Sequence, residues 1–293
     1  MAIFMDYNKY KVNCGELYDL VKNARGNVPP SDSLELKYKS LFDKKVSELT
    51  STDNTTMLKY LSSVEAYNPN ILSEDVKETA RRHFAYTHYG LSNVYSYEGK
   101  DILAVQKGII CEQDGIDLLS LVEGKKYTKN EKILQNTYFK GIPDIFTKNS
   151  TKKKYTEVLD IKVCLDFNAF MGKKYSKVSP EHYWQMQGYM DIMKLDKATL
   201  VYTLPDMHPK LLNTITGNAM SKWLANGIDN SVILSRMETL RNSCIYDNIS
   251  KEDRVYKVIV ERNDFDIKRA RQRVPVIRSY FNQLLKEYPQ KIC

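Results

Sequence analysis

Two short stretches of the chain put carboxylates where they could act together. In Glu157-Val158-Leu159-Asp160-Ile161-Lys162-Val163 the alternation of a β-strand sends Asp160 and Lys162 to one face, while Leu159, Ile161 and Val163 fill the other. An ionised Asp beside a Lys on a central strand costs on the order of several kcal/mol in desolvation unless water, a metal or a partner compensates. Taken alone, the tripeptide reads as a structural ion pair at a strand end. Upstream lies Gly141-Ile142-Pro143-Asp144, in which Pro143 forbids a ladder hydrogen bond and so places Asp144 at a strand start or edge. A short hairpin brings Asp144 within reach of Asp160. Two carboxylates from adjacent strands, with a lysine two residues after the second, suit a hard divalent ion such as Mg²⁺ or Mn²⁺ and an activated water beside it. The plainer alternative is that Asp144 is the solvated corner of an ordinary turn.

Two further residues could join them. Val105, Ile109, Glu112, Ile116 and Leu119 recur at spacings of four and three, one stripe of an α-helix, so Glu112 sits in an apolar stripe. A helix packed on the sheet by that stripe could aim Glu112 at the same metal; alternatively its tip snorkels to water. In Glu181-His182-Tyr183-Trp184-Gln185-Met186-Gln187-Gly188-Tyr189-Met190, Gln185, Gly188, Tyr189 and Ile192 share a helix face. Gln185 could orient a water or a phosphate oxygen, or be a buried, hydrogen-bonded amide.

The elements that must position these groups follow from periodicity and capping. Ser73-Glu74-Asp75-Val76 starts a helix that should run to about Tyr89, where Gly90 can end it. Earlier pieces near Gly15 to Ala24, Leu34 to Leu49 and Met57 to Leu61 read as short helical segments around a turn-rich break at Arg25-Gly26-Asn27-Val28-Pro29-Pro30. Tyr138 to Phe146 and Tyr155 to Val163 read as strands joined by the polar hairpin connection Thr147 to Lys154. A loop rich in Phe and Lys follows. Glu181 to Met193 reads as a helix, Ala198 to Leu204 as a buried strand, Arg254 to Glu261 as a strand, and Asp264 to Tyr288 as a long basic amphipathic helix. Pro205 to Asn248 gives no clear pattern.

Composition bounds the rest. The 293 residues, 42% apolar and 27% charged, describe a globular chain and exclude disordered and collagen-like classes. No run approaches the roughly 18 apolar residues of a membrane span, and the N-terminus lacks the pattern of a signal peptide, so the chain is expected to be soluble, complete and cytoplasmic. Five dispersed cysteines, Cys14, Cys111, Cys164, Cys244 and Cys293, suit free thiols in a reducing compartment and lack zinc or iron–sulfur spacing. Forty-four basic against 36 acidic residues leave a net charge of +8, which favours a polyanionic partner.

Taken together, Lys107-Gly108-Ile109-Ile110-Cys111-Glu112, Gly141-Ile142-Pro143-Asp144, Asp160-Ile161-Lys162 and Tyr183-Trp184-Gln185-Met186-Gln187-Gly188-Tyr189-Met190 resemble, in order and spacing, the PD-(D/E)xK nuclease superfamily and within it the lambda-exonuclease and YqaJ-like viral recombinase group. Tyr256 to Arg262 and the helix after it look like that group's C-terminal strand and helix. Val12-Asn13-Cys14-Gly15-Glu16-Leu17 is a weaker match to its entry motif. The likeness covers about residues 100 to 288, with Asp160 where many members carry Glu, and the missing cysteine cluster argues against the iron–sulfur branch.

The resemblance implies an α/β, restriction-endonuclease-like core with a mixed central sheet flanked by helices over residues 101–293, and a helical N-terminal extension over 1–100. It implies Mg²⁺ as cofactor, with Mn²⁺ as a substitute, held by Asp144, Asp160, the Ile161 carbonyl and Glu112. Lys162 would hold or activate the attacking water and Gln185 would position it. The implied activity is exonucleolytic hydrolysis of DNA phosphodiester bonds from duplex ends, in phage-type recombination or replication. DNA phosphates would be gripped by Lys173, Lys174 and Lys177, with Lys152 to Lys154, Arg81-Arg82 and Lys268 to Arg273 as further basic runs; any single run can equally be a solvated face. Phe167 and Phe170 could stack a terminal base or pack a small core. A single-strand annealing protein is an implied partner, a homo-oligomer is allowed, and no membrane is involved. Two rival readings stay open, a structure-specific or nicking endonuclease of the same superfamily and a non-catalytic DNA-binding protein on the same fold.

Overall fold

The computed structural model describes residues 6–23, 27–45, 48–89, 103–149, 151 and 154–289. Gly90, Lys152 and Lys153 lie outside the described residues. The chain divides into two compact units, one of residues 1–92, 136–139 and 263–293, the other of residues 93–135 and 140–262.

The first unit carries a two-residue strand, β1 (Val12–Asn13), and helices α1 (Leu17–Val21), α2 (Asp32–Ser40), α3 (Ser51–Ala66) and α4 (Glu74–Tyr89). The start expected at Ser73 is found: its Oγ accepts the Val76 N–H at 3.3 Å. α3 begins with a reciprocal capping box between Thr50 and Asp53. The long C-terminal helix expected from the sequence spans Asp264–Glu287 and clusters with this unit. Its apolar face meets α4 around Tyr7, whose ring stacks on Phe281 at 4.8 Å and on Phe84 at 5.7 Å. Two of its arginines turn inward. Arg273 is buried and donates to the Pro69 and Ile71 carbonyls and to Asn23, while Arg269 binds Asp32, Asp266 and the Pro30 carbonyl. They are structural cations, leaving Lys268 and Arg271 as the exposed basic residues of that run.

The second unit is a four-stranded mixed sheet wrapped by helices, in accord with the expected α/β class. Its helices are α5 (Leu103–Ile110) and α6 (Glu112–Glu123), followed by the short strands β2 (Leu134–Gln135) and β3 (Phe139–Gly141). Then come β4 (Ile145–Lys148), β5 (Tyr155–Val163), α7 (Phe167–Tyr175), α8 (Pro180–Met193), β6 (Lys197–Thr203), α9 (Pro209–Ala225), α10 (Asn230–Asn242) and β7 (Val255–Glu261); the final helix of the first unit is α11. The sheet order is β4-β5-β6-β7, with β5 and β6 parallel and the other pairs antiparallel. β5 is therefore interior. Leu159 and Ile161 join Ile116, Leu119, Ile145 and Val201 in one core layer, and on the opposite face Leu200 and Tyr202 pack with Cys164, Phe170, Leu204 and Tyr246.

Three expectations change, and one region that gave no pattern takes form. The single stripe from Val105 to Leu119 is two helices, because the backbone leaves helical geometry at Cys111 (φ −97°, ψ 12°). Ile116 and Leu119 are fully buried, but Val105 and Ile109 are 40% and 65% exposed, so the period crosses a break without marking one face. The run from Tyr138 to Phe146 is interrupted between Gly141 and Ile145, where Pro143 cannot donate to a ladder. The Phe- and Lys-rich loop is helix α7, capped by Asp166 accepting from the Ala169 N–H at 2.7 Å, and its Phe170 is fully buried. The unread region after Pro205 is the helix pair α9 and α10.

α6 approaches the sheet at Gly115, where an added Cβ would lie 2.6 Å from Thr203 Oγ1 and 3.3 Å from methyls of Ile161 and Val163. Gly115→Ala gains helix propensity of about 1 kcal/mol but forces the helix off the sheet, and overpacking of this kind costs roughly 1–3 kcal/mol. The expected outcome is a lower midpoint in urea unfolding with an unchanged slope; an unchanged or raised midpoint would show that the contact is slack.

Candidate active site

The site is built on β5 and on the turn that leads into β4. Asp160 is 1% exposed, on the face of β5 that carries Leu200 and Tyr202 as its β6 neighbours. Lys162, two residues on and hence on the same face, brings Nζ to 2.7 Å from Asp160 Oδ2. Among the described residues that oxygen has no hydrogen-bond partner beyond this ion pair. Helix α8 crosses above, and Gln185 bridges the pair: its Oε1 accepts from Lys162 Nζ at 3.1 Å and its Nε2 donates to Asp160 Oδ1 at 3.3 Å. Since Lys162 can only donate, the amide has one orientation consistent with both contacts. Gln185 Nε2 also lies 3.0 Å from Tyr189 Oη, one turn along α8, and that hydroxyl donates to the Ile142 carbonyl at 3.1 Å.

Asp144 reaches the same place from the other side. Its Oδ2 accepts the Ile161 N–H at 2.6 Å, which locks the residue before β4 against the middle of β5. The turn is held by Asn130, whose N–H donates to the Asp144 carbonyl at 2.7 Å and whose Nδ2 donates to the Pro143 carbonyl at 2.9 Å. Neither Asn130 nor the role of Tyr189 was read from the sequence; Tyr189 lies on the same helix face as Gln185, while Asn130 sits in a polar loop that carries no signal.

Glu112 lines the same cleft from the first turn of α6 and pairs with Lys129 at 3.0 Å. Among the described residues, no three His, Cys, Asp or Glu side chains converge closely enough to hold one ion; the convergence is of two carboxylates, Asp144 and Asp160. The cleft, about 470 Å³, is also lined by Lys173, His182 and Tyr202 on the polar side and by Ala104, Val105, Gly108 and Ile109 of α5. Of the three lysines expected to grip DNA, Lys173 is on the wall, its Nζ 5.6 Å from the Tyr202 ring centre. Lys174 stacks over Phe170 at 5.1 Å instead, and Lys177 is exposed beyond the end of α7.

The electrostatics are those of an overcrowded anionic centre. Burial pushes Asp144 up to about 8, with repulsion from Asp160 adding to it and the Ile161 N–H opposing it. Burial also raises Asp160, against the pull of Lys162. For Lys162 burial acts to lower the pKa, but Asp160, Asp144 and Glu112 outweigh it and the net shift is upward, so the side chain is an ammonium. His182 is pushed down to about 4 by burial and by Lys162 and Lys173, and its Nδ1 lies 3.2 Å from Tyr202 Oη. Two buried carboxylates that repel each other, one with an oxygen lacking a hydrogen bond, fit a hard divalent cation that takes oxygen ligands and keeps several waters.

Comparison with solved structures places the fold. A phage-related exonuclease from Haemophilus somnus matches with a TM-score of 0.58 at 19% identity, covering 95% of this chain and 96% of its own. The alkaline exonuclease of Laribacter hongkongensis matches with a TM-score of 0.50 at 12% identity over 94% of this chain and 90% of its own, and its complex with dAMP matches equally well. No protein-family model and no curated protein sequence matches the chain. The shared feature is the fold: this chain has the α/β architecture of these phage-related and alkaline exonucleases, in accord with the fold its motifs led us to expect.

A carboxylic acid held near pKa 8 in the folded protein and near 4 when unfolded binds more protons folded than unfolded between those values. Folding stability in EDTA therefore falls as pH rises from about 4 to 8. Asp144→Asn removes that dependence, so its melting temperature should exceed that of the wild type at pH 8 and converge on it at pH 5. Mg²⁺ should close the gap at pH 8 by stabilising only the wild type. Parallel melting curves at all pH values would refute the assignment of Asp144 as the strained acid.

Proposed function

We propose that the protein is a Mg²⁺-dependent DNA exonuclease. The observation that carries this reading is the pairing of Asp144 with Asp160 across β4 and β5, with Lys162 and Gln185 closing over Asp160. The likeness to solved exonucleases supports it, and the dAMP bound by one of them is a nucleotide of the expected class.

Asp144 and Asp160 would hold the metal, with the Ile161 carbonyl and Glu112 completing its shell directly or through water. A bound ion would supply Lewis-acid stabilisation of the charge that develops on the phosphate and the attacking oxygen. Lys162, as an ammonium, donates to the attacking water or to a phosphate oxygen and holds it in line. Gln185 fixes the Lys162 ammonium and, through Tyr189, ties it to the turn that carries Asp144. Lys173 would bind the DNA phosphate flanking the one that is cut, and because this is a screened charge–phosphate contact, affinity should fall with salt. Attack of water on phosphorus forms the new P–O bond and breaks the bond to the 3′ oxygen, which takes up the proton the water gives to solvent and leaves as a 3′-hydroxyl, with a 5′-phosphate on the other product.

A duplex end as substrate, a role in phage-type recombination or replication, Mn²⁺ as a substitute and a single-strand annealing partner complete the proposal. An endonuclease acting on nicks or flaps is the second reading, since the cleft is open and the same four residues serve both reactions.

End-labelled linear duplex and covalently closed circles, each with Mg²⁺ or EDTA, separate these readings. Linear DNA should be degraded from its ends with metal only. Asp160→Ala and Lys162→Ala should each lower the rate by 10²-fold or more, on the order expected for losing a transition-state charge partner, while Lys173→Ala should chiefly raise KM and reduce the salt slope by about one. Cutting of closed circles selects the endonuclease, and binding without cleavage of any DNA selects the non-catalytic alternative.

A further inference from the structure

The first unit carries a groove that shares no residue with the catalytic cleft. Lys268, Arg271, Gln272 and Pro275 line it from one face of α11, at positions i, i+3, i+4 and i+7, and the Tyr138 ring and Ile267 complete the lining. Its volume, about 510 Å³, falls within the roughly 300–1,000 Å³ of small-ligand sites. The cations of α11 divide by what they touch. Arg269 and Arg273 are held by protein partners, and Arg278 donates to the Tyr10 carbonyl at 2.9 Å and the Thr137 carbonyl at 2.7 Å. Lys268 and Arg271 are exposed instead, with the Arg271 guanidinium 5.6 Å from the Tyr138 ring centre. Tyr138 is a rigid platform: its N–H donates to Asn136 Oδ1 at 2.8 Å, its carbonyl accepts the Val12 N–H at 3.0 Å, and Arg278 anchors the residue before it. A proline inside a helix removes a backbone hydrogen bond, and Pro275 is exposed, so the core does not ask for it. In the groove its ring adds to the apolar surface given by Ile267.

We propose that this groove binds single-stranded DNA, with one base lying against the Tyr138 ring and the phosphates beside it held by Lys268 and Arg271. The occupant follows from the chemistry of the walls. Two cations one turn apart, against the single carboxylate of Asp264, favour an anionic chain, and an aromatic ring among them offers its face to a planar group. Inside a duplex each base face is covered by its neighbours, so the group that can lie on Tyr138 belongs to an unpaired strand. An acidic peptide would satisfy the cations and leave the ring without a role. Gln272 can both donate and accept, so it can meet the edge of any base without selecting a sequence. That the strand is the one left unpaired as its complement is hydrolysed rests on the nuclease reading; the binding itself is measured without turnover.

Fluorescence anisotropy of the full chain in EDTA, with a labelled oligothymidylate and an abasic tetrahydrofuran oligomer of the same length and charge, separates stacking from charge. The wild type should bind the oligothymidylate about tenfold more tightly, the scale of one stacked base. Tyr138→Ala should lose that preference and Tyr138→Trp should keep it, while Lys268→Gln weakens both probes and lowers the salt slope by about 0.7, one single-strand phosphate contact. Photocrosslinking of a 5-iododeoxyuridine oligonucleotide to the wild type should map to Tyr138, a readout that does not depend on how any variant folds. Equal affinity of the wild type for the two oligomers, a preference that persists in Tyr138→Ala, or a crosslink that maps elsewhere overturns the proposal. So does an oligoglutamate that displaces the oligothymidylate from the wild type and from Tyr138→Ala alike, which would mark the groove as a seat for an acidic protein segment. Digestion of linear duplex by the same wild-type preparation with Mg²⁺ reports on the nuclease reading separately: Tyr138-dependent binding without any cleavage overturns that reading, and with it the origin of the strand, while the groove stands.

Discussion

The second unit is arranged around a carboxylate that is almost wholly buried at the floor of a cleft. Asp160 lies on an interior strand with almost no exposure, and burying an ion without a partner is far more costly than any single packing interaction can offset. Lys162 provides the partner only because a strand repeats every two residues; an insertion of one residue between them would send the ammonium into the layer of Ile116 and Val201. Gln185 then satisfies both members of the pair at once, and α8 has to cross the sheet at the one height where it can do so. Compensation stops short of completion, since Asp144 is held 2.6 Å from the Ile161 N–H and repels the carboxylate it faces. Burial and this repulsion hold the Asp144 carboxyl well above the usual carboxylate range, up to about 8.

Holding two repelling carboxylates together requires a stiff frame, and the frame is visible in the contacts furthest from the chemistry. β5 and β6 run parallel, which obliges the chain between them to cross over, and that crossover is α7 and α8, the segment that delivers Lys173, His182 and Gln185. On the other face Gly115 lets α6 settle against Ile161, Val163 and Thr203, clamping β5 from behind. Lys107 spans from α5 to the Leu165 carbonyl just past the end of β5 and sits 5.4 Å from the Tyr246 ring centre, so a buried lysine side chain ties one wall of the cleft to the base of the other. An apolar side chain would fill that volume at lower desolvation cost, and the contact it could not supply is the tether to that carbonyl.

What was legible in the sequence and what was not divide along physical lines. β5 and α8 could be read because their patterns are enforced by burial on one face and by the cost of the polar residues on the other, so Asp160, Lys162 and Gln185 fall where the period puts them. The stripe from Val105 to Leu119 misled because a helical period continues through a one-residue break at Cys111, and because side chains lining a cleft have the same composition as side chains filling a core. α7 hid as a loop since only Phe170 of its nine residues is buried, and α9 and α10 hid because Leu211, Thr216 and Ile233 are the whole of their buried set. Asn130 had no local signal at all: its work is done on the Pro143 and Asp144 backbone thirteen and more residues away, a relation that only the fold creates.

The low identity to structures of the same fold, 12 to 19%, has a physical reading in these terms. Core positions such as Ile145, Leu159 and Val201 need to be apolar and of about the right volume, and many sequences meet that condition. The polar centre has no such latitude. Replacing Asp160 by an apolar residue would strand Lys162 as a buried cation, and replacing Lys162 would leave Asp160 and Asp144 to repel each other undamped. Shortening Gln185 would deprive both members of their shared hydrogen bonds. Asp160, Lys162 and Gln185 are thus each constrained by contacts to the other two.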